Sequence, residues 1–440
     1  MHVGIRAGLT AATVAGLVAA GAVVAAQANA GQVKAGPPAV PAQARAVLAA
    51  GDGWGSAGAG TTGGSAADDA HVFVVRTRDE LAAAVAGSTP KIVLVAATID
   101  ANEGRGCADY ADPEYDLQAF LTAYDPATWG RVAPTGPLED ARVRSAKNQG
   151  LKVKIEVGAN TTIYGLRNAR IRGGNLLLTN VNNVIIRNVA FEDAYDCFPT
   201  WSPTDGDTGN WNSLYDSVTL SGATNVWLDH NSFTDGANQD VNQPIYLGRP
   251  YQVHDGAADI IKGSDYVTVS YNNLFEHDKT MLIGSTNTPG VDVGKLRVSL
   301  HHNRFANLGQ RVPRVRFGQV DVYNNYYYAT DEDTFVYAIG VGVQSQVYAE
   351  NNFVLRSADT PLNAFVYNWG GTRMTEKGTL ARVGTGPIVA VNLLDEYNAA
   401  FDPDIATDAG WTPALRAGLD PAASVPGLVT KNAGTGKLPG

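Results

Sequence analysis

Asp216 heads the segment YDSVTL, and Asp255 and Asp259 lie four apart in HDGAAD. Carboxylate oxygens without a thiolate or a spaced histidine pair are ligands for a hard cation such as Ca²⁺ rather than for zinc. Lys279 closes HDK, and QRVPRVRFG packs Arg311, Arg314 and Arg316 close together. The chain carries a net charge of -10, so this basic cluster is a local exception. A cationic patch beside a carboxylate cage suits a polyanion whose own carboxylates are shared between metal and guanidinium. By themselves the acids could equally be solvated loop carboxylates, and the arginines internal ion pairs.

Other chemistry-bearing residues read more plainly. Asp205, Asp207 and Asn210 in DGDTGN lack the distal glutamate of a calcium-binding helix-loop-helix and read as a surface turn. His230, His254, His277, His301 and His302 all sit in turns or adjoining loops. The adjacent pair cannot chelate as an i, i+4 pair does, and no G-x-S-x-G elbow supports a serine nucleophile. The tyrosines Tyr323, Tyr326, Tyr327 and Tyr328 read as core and edge packing.

The elements that must position these groups are short. Beyond Val153 the chain repeats one template: NVIIRNVAF, NVWLDHNSF, YVTVSYNNL, RVSLHHNRF, QVDVYNNYY and QVYAENNFV. Asparagine recurs in it as Asn231, Asn272, Asn303, Asn325 and Asn352, at intervals of 41, 31, 22 and 27. A minimum period with insertions only above it is the signature of a solenoid, in which each coil returns to stack on the last. Val298 and Leu300, or Val320 and Val322, would point inward, and stacked asparagine amides would form a ladder at a turn that tolerates positive φ. The linkers are too long for the hairpins of an antiparallel sandwich. The expected fold is therefore all-β, a right-handed parallel β-helix with long loops on one side and few short helices. One helix is expected at Asp79–Val85, between two β-rich runs.

At the N-terminus, His2 and Arg6 precede an apolar run from Ala7 to Ala26 that ends in Ala28-Asn29-Ala30, the three parts of a secretory signal peptide over residues 1–30. Residues 31–46 read as linker, and 47–440 as a single domain. An exported chain with only 2 cysteines makes Cys107 and Cys197 a candidate pair. The acidic balance argues against nucleic acid as a partner, and no membrane segment remains after leader removal. A monomer is the expected state.

With these residues in view, the chain resembles the extracellular bacterial pectate lyases of polysaccharide lyase family one, Bacillus type. The resemblance runs through GWGSAGAGTTGG, EYDLQAFLTAYDPATWG, FEDAYDCFPTWSPTDGDTGNWNSLYDSVTL, VWLDH, HDGAADIIKGSDYVTVSY, HDKTMLIGS, HHNRFANLGQRVPRVRFGQVDVYNNYY and NAGTGK. It implies a parallel β-helix that cleaves polygalacturonate (pectate) by β-elimination with calcium. It places the calcium carboxylates on Asp216, Asp255 and Asp259, the substrate-binding lysine on Lys279, the proton-abstracting base on Arg311 and a substrate clamp on Arg316. Arg314, between them, is expected to bind substrate too. Asp229 and His230 of VWLDH are then structural. Some relatives carry a further calcium acid where Leu214 stands, and the Bacillus type has an aromatic in place of Cys197. Arginine is normally no base, so charge alone would make Arg311 a clamp, and its role as base comes from the resemblance. Rival readings are a pectin lyase on methyl-esterified chains, a polygalacturonase, and a non-catalytic polysaccharide-binding β-solenoid. Three carboxylates for a metal favour pectate over a neutral ester.

Overall fold

Short alternating strands can bury their inward residues only by stacking coil on coil, and this is how the chain folds in a computed structural model that describes residues 40–331 and 334–438. Three long sheets form the walls. One has ten strands, from Val72–Val75 to Met374–Lys377. A second has eight, from Lys154–Glu156 to Val366–Trp369. The third has ten, from Thr98–Asp100 to Val389–Ala390, and only its last pair is antiparallel. Each full coil visits the second, first and third sheets in that order. The architecture is the expected right-handed parallel β-helix.

Register is kept from coil to coil, so Val267, Val298, Val320, Val347 and Met374 stack in one inward column. All five are fully buried. Burying a side chain of this size contributes about 1.5–3 kcal/mol. Beside the column runs the asparagine ladder. The Asn231 amide nitrogen donates to Asn272 Oδ1 at 3.1 Å, Asn272 to Asn303 at 3.0 Å, Asn303 to Asn325 at 3.0 Å and Asn325 to Asn352 at 3.3 Å. The left-handed backbone, however, falls one residue before each rung, at His230, Tyr271, His302, Asn324 and Asn351. There the turn carries a stack of rings, with His230 on Tyr271 at 5.0 Å and Tyr271 on His302 at 4.7 Å, both histidines buried. The tyrosines Tyr323, Tyr326 and Tyr327 are buried, as expected.

Both ends are covered. The helix Arg78–Val85 begins one residue earlier than expected, because Thr77 and Glu80 form a reciprocal cap, and it buries Leu81, Ala84 and Val85. At the other end the helix Leu393–Asn398 is capped by Asn392 and buries Leu393, Leu394 and Tyr397 in the same core. A longer helix, Pro137–Val153, escapes the sequence reading because its apolar face is narrow and interrupted by polar residues. Residues 1–39, which contain the expected leader, lie outside the described residues. Of the expected linker, residues 40–46 are packed: Ala44 is fully buried, and Arg45 donates to the carbonyls of Ser65 and Ala67. Packing therefore starts before residue 47.

Cys107 and Cys197 form a disulfide with Cα atoms 5.3 Å apart, joining positions separated by 90 residues. It ties the helical excursion that contains Pro137–Val153 to the loop leading to Asp216. Thiol titration in denaturant should find no free thiol until reductant is added. Cys107→Ser should lower the unfolding free energy by about 2–5 kcal/mol in urea titrations.

Candidate active site

The expected carboxylates lie on or just before strands of the eight-stranded sheet, and Lys279 and Arg311 at the ends of strands of the third. Asp259 points outward from the strand Ala258–Ile261, whose neighbours Ala258 and Ile260 are buried in the core. Its Oδ1 accepts the Leu282 N–H at 2.9 Å. Asp216, just before the strand Val218–Ser221, accepts from Gly256 N at 2.8 Å and from Thr219 Oγ1 at 2.5 Å. Gly256 marks where the two carboxylates converge. A Cβ there would lie 2.3 Å from Asp259 Oδ1 and 2.8 Å from Asp216 Oδ1. A side chain would fill this cradle of oxygens, and a glycine leaves it open.

Burial, reinforced by Asp259 and Asp255, holds the Asp216 carboxyl well above the usual range. Burial and Asp255 push Asp259 up to about 7. Like charges packed this closely are relieved by protonation or by a cation, and an all-oxygen set fits a hard one. Asp255 is more exposed and faces the bases: its Oδ1 is 3.8 Å from both Lys279 Nζ and Arg311 Nη1.

The cationic side is built with equal economy. Lys279 ends the strand Asn273–Lys279 and is buried. Arg311 follows the strand Arg304–Gln310 with φ of 60°, a left-handed conformation that costs a non-glycine residue of order 1–3 kcal/mol. Its carbonyl accepts Met281 N–H at 2.8 Å, which helps hold the turn. Burial opposes its charge, but Asp255 and Asp259 outweigh burial and raise its pKa. Arg316 donates to Asn287 Oδ1 at 2.7 Å and to the Gly284 carbonyl at 2.9 Å. Burial and then Arg316 pull Arg314 down to about 10. Among the described residues neither Arg314 nor Arg316 has a carboxylate partner within 4.0 Å. Two neighbouring cations without counterions are prepared for an anionic ligand.

A family model described as pectate lyase matches residues 7–120 and 133–387. The chain belongs to the pectate lyase family. It is 45% identical over 407 residues to the pectate lyase of Bacillus subtilis (strain 168), covering 89% of this chain and 93% of that one. With pectate lyase E of Dickeya chrysanthemi the identity is 35% over 315 residues, 70% and 68% of the two chains. Among solved structures, a thermostable pectate lyase superposes with a TM-score of 0.88 at 44% identity, over 90% of this chain and 99% of that one. A pectate lyase bound to a hexasaccharide gives 0.85 at 42%, over 91% and 100%. Membership makes the chain a polysaccharide lyase. No described helix is long and apolar enough to cross a membrane.

The pectate lyase fold also holds a buried group that sequence reasoning missed. Asp235, Asp240 and His254 place ligand atoms within 4.8 Å of one another, with Asp193 and His277 alongside. His254 Nε2 meets Asp193 Oδ1 at 3.1 Å, and its Nδ1 meets Asp240 Oδ1 at 3.3 Å. His277 Nδ1 meets Asp235 Oδ1 at 2.5 Å, while its Nε2 meets the Lys279 carbonyl at 3.1 Å. His254 is thus held between two carboxylates, and His277 links a carboxylate to the backbone at Lys279. The signal was the repeated His-Asp dipeptide in HDG and HDK, but the carboxylate partners lie far away in sequence.

Although burial opposes it, Asp193 and Asp240 raise His254 from an ordinary 6.5 to about 10. A group whose folded pKa is raised stabilises the fold fully below its unfolded value, and that stability is lost as pH rises through the folded value. Urea midpoints should therefore fall between about pH 6.5 and 10. In His254→Gln this decline should flatten, from a lower starting stability.

The remaining expectations fall as follows. Asp229 is buried, with Arg187 Nε at 2.6 Å and Ser270 Oγ at 2.8 Å, a structural role. Asn212 bonds Asp205 at 3.4 Å and Arg131 bonds the Gly206 carbonyl, so DGDTGN is a braced surface turn. Leu214 is 51% exposed beside Asp216 and adds no ligand oxygen.

Proposed function

We propose that the chain is a secreted, calcium-dependent pectate lyase that cleaves α-1,4-linked polygalacturonate by β-elimination, giving unsaturated oligogalacturonates. The observation that carries this reading is the convergence of Asp216 and Asp259 on Gly256, with Asp255 turned toward Lys279 and Arg311. Asp216, Asp255 and Asp259 would hold Ca²⁺. When bound, the ion supplies Lewis-acid stabilisation of the charge that develops on the substrate carboxylate. Lys279 contributes a desolvated positive charge to the same carboxylate, where a preorganised donor is worth more than in water. Arg311 takes the C5 proton, the C4–C5 double bond forms, and the C4–O bond breaks with its electrons going to the leaving oxygen, which takes a proton from water. Arg314 and Arg316 hold neighbouring carboxylates of the chain.

The apolar leader read in the sequence supports export, and the Cys107–Cys197 bridge suits an oxidising compartment. The acidic balance of the chain argues against nucleic acid as a partner. Two acids at the cradle, with Asp255 beside the bases, disfavour a methyl-esterified substrate, which offers no carboxylate to bridge. The deciding experiment follows ultraviolet absorbance of purified protein with polygalacturonate, with and without chelator. Unsaturated product that vanishes with chelator and returns with calcium is expected. Reducing sugar without the absorbance would mean hydrolysis and sink the reading.

A further inference from the structure

The loop between the strand Ser232–Thr234 and Asp255 closes on itself through three buried side chains. Asp235 stands at its start, Asp240 opens the short turn Asp240–Asn242, and His254 ends it. One ligand atom from each lies within 4.8 Å of the others, and all three residues are more than nine-tenths buried. Each carboxylate is anchored through one oxygen: Asp235 Oδ1 meets His277 Nδ1 at 2.5 Å, and Asp240 Oδ1 accepts the Val253 N–H at 2.8 Å. The other oxygen of each, Oδ2, is buried and has no hydrogen-bond partner. A buried carboxylate oxygen left in this state costs free energy unless a cation meets it.

His254 is aimed at the same point. Its Nε2 faces Asp193 Oδ1 at 3.1 Å, which turns Nδ1 toward the other two acids. Nδ1 lies 3.3 Å from Asp240 Oδ1 and 3.5 Å from Asp235 Oδ2. Charge-assisted hydrogen bonds are shorter, about 2.7–2.9 Å. The spacings match instead the edges of a tetrahedron, about 3.3–3.6 Å for metal–ligand bonds of about 2.0–2.2 Å. An imidazole whose far nitrogen is held by a carboxylate is also how a metal-bound histidine is oriented. Beside the group lies a cavity of about 270 Å³, lined by Asp235, Asp240, Glu276 and Asp278 and, among the described residues, by no lysine or arginine. It gives a cation an acidic entry path and leaves room for water as a fourth ligand.

We propose that Asp235, Asp240 and His254 form a site for a tetrahedral divalent transition metal such as Zn²⁺, with Asp193 orienting the imidazole. The site is separate from the cage: a nitrogen ligand and tetrahedral spacing select zinc, whereas the oxygen-only set of Asp216 and Asp259 suits calcium. The ion would clasp the two ends of the loop 235–254 and stabilise the fold, whatever polymer the cage serves.

The test loads chelator-treated, untagged protein with Zn²⁺ in the presence of excess calcium, which fills the cage. Elemental analysis after desalting should find one zinc per chain, and the melting temperature should rise with zinc, as it does for any ligand of the native state alone. Zinc-edge X-ray absorption of the same protein should show an imidazole nitrogen together with oxygen neighbours at about 2.0–2.2 Å. Co²⁺ in its place should give the intense visible bands of a tetrahedral ion. Asp193→Asn should weaken zinc binding about 10–100-fold, the cost of losing an orienting partner, and His254→Gln should weaken it further. Asp259→Ala, which alters only the cage, should leave it unchanged. Melting in chelator checks that each variant is folded, and the X-ray absorption measurement needs no variant. A wild type that retains no zinc, an absorption spectrum without nitrogen, the weak bands of octahedral cobalt, or zinc binding lost in Asp259→Ala but kept in His254→Gln would each overturn the site.

Discussion

Arg311→Lys is expected to lose on the order of 100-fold in kcat while calcium and substrate affinities stay near wild type. Lysine keeps the charge, but its single nitrogen leaves a stem of different length, and a misplacement of about 1 Å costs roughly that much in a proton transfer. Lys279, Arg316 and the carboxylates would still hold the ground state, so the loss belongs to turnover. The left-handed backbone at Arg311 shows that this position is held at a cost. A second signature follows from electrostatics. Asp255 and Asp259 raise the Arg311 pKa, so the neutral guanidine becomes more available when a cation offsets them. Activity should therefore rise into alkaline pH, and at higher calcium the rise should start at lower pH. Near-wild-type turnover in Arg311→Lys would make Arg311 a clamp and leave the base to be found elsewhere.

Gly256→Ala is expected to raise the calcium needed for half-maximal activity by about 100-fold or more, as is Asp259→Ala, for opposite reasons. The alanine methyl would stand 2.3 Å from Asp259 Oδ1 and 2.8 Å from Asp216 Oδ1, so it would fill the cradle between the two carboxylates. Asp259→Ala instead removes an anionic ligand from a hard-cation site. Their stabilities should diverge. Losing Asp259 relieves carboxylate repulsion in calcium-free buffer, whereas the added methyl crowds both acids. Calcium titrations of activity, paired with urea unfolding in chelator, separate the two effects. An unchanged calcium requirement in Asp259→Ala would remove the assignment of the cage.

How much of this was legible in the sequence depended on spacing. Asn231 to Asn352 could be read because each coil must return to the same turn, which prints a period into the chain. The conformation at that turn was misplaced by one residue, since the strained position falls before the rung and accepts histidine, tyrosine or asparagine alike. The cage residues were visible because HDGAAD lies on the coil next to Asp216. By contrast, Asp193, Asp235 and Asp240 meet His254 and His277 through loops that have no period, and nothing local announces that they converge. For the cysteines, number and compartment suggested a pair, but only the folded excursion brings them within 5.3 Å.

A stack of parallel strands has no natural stopping point, because the last coil offers the next one the same row of N–H and C=O groups that it received. In this chain the two terminal coils are sealed by helices whose apolar faces enter the core, and by an antiparallel strand at Val389–Ala390 that turns the edge back on itself. The same architecture without these lids would be a template for filaments, with one molecule's final coil seeding the first of another. The helices at either end thus act as negative signals for growth. They close a fold built from indefinitely repeatable units at a fixed number of coils.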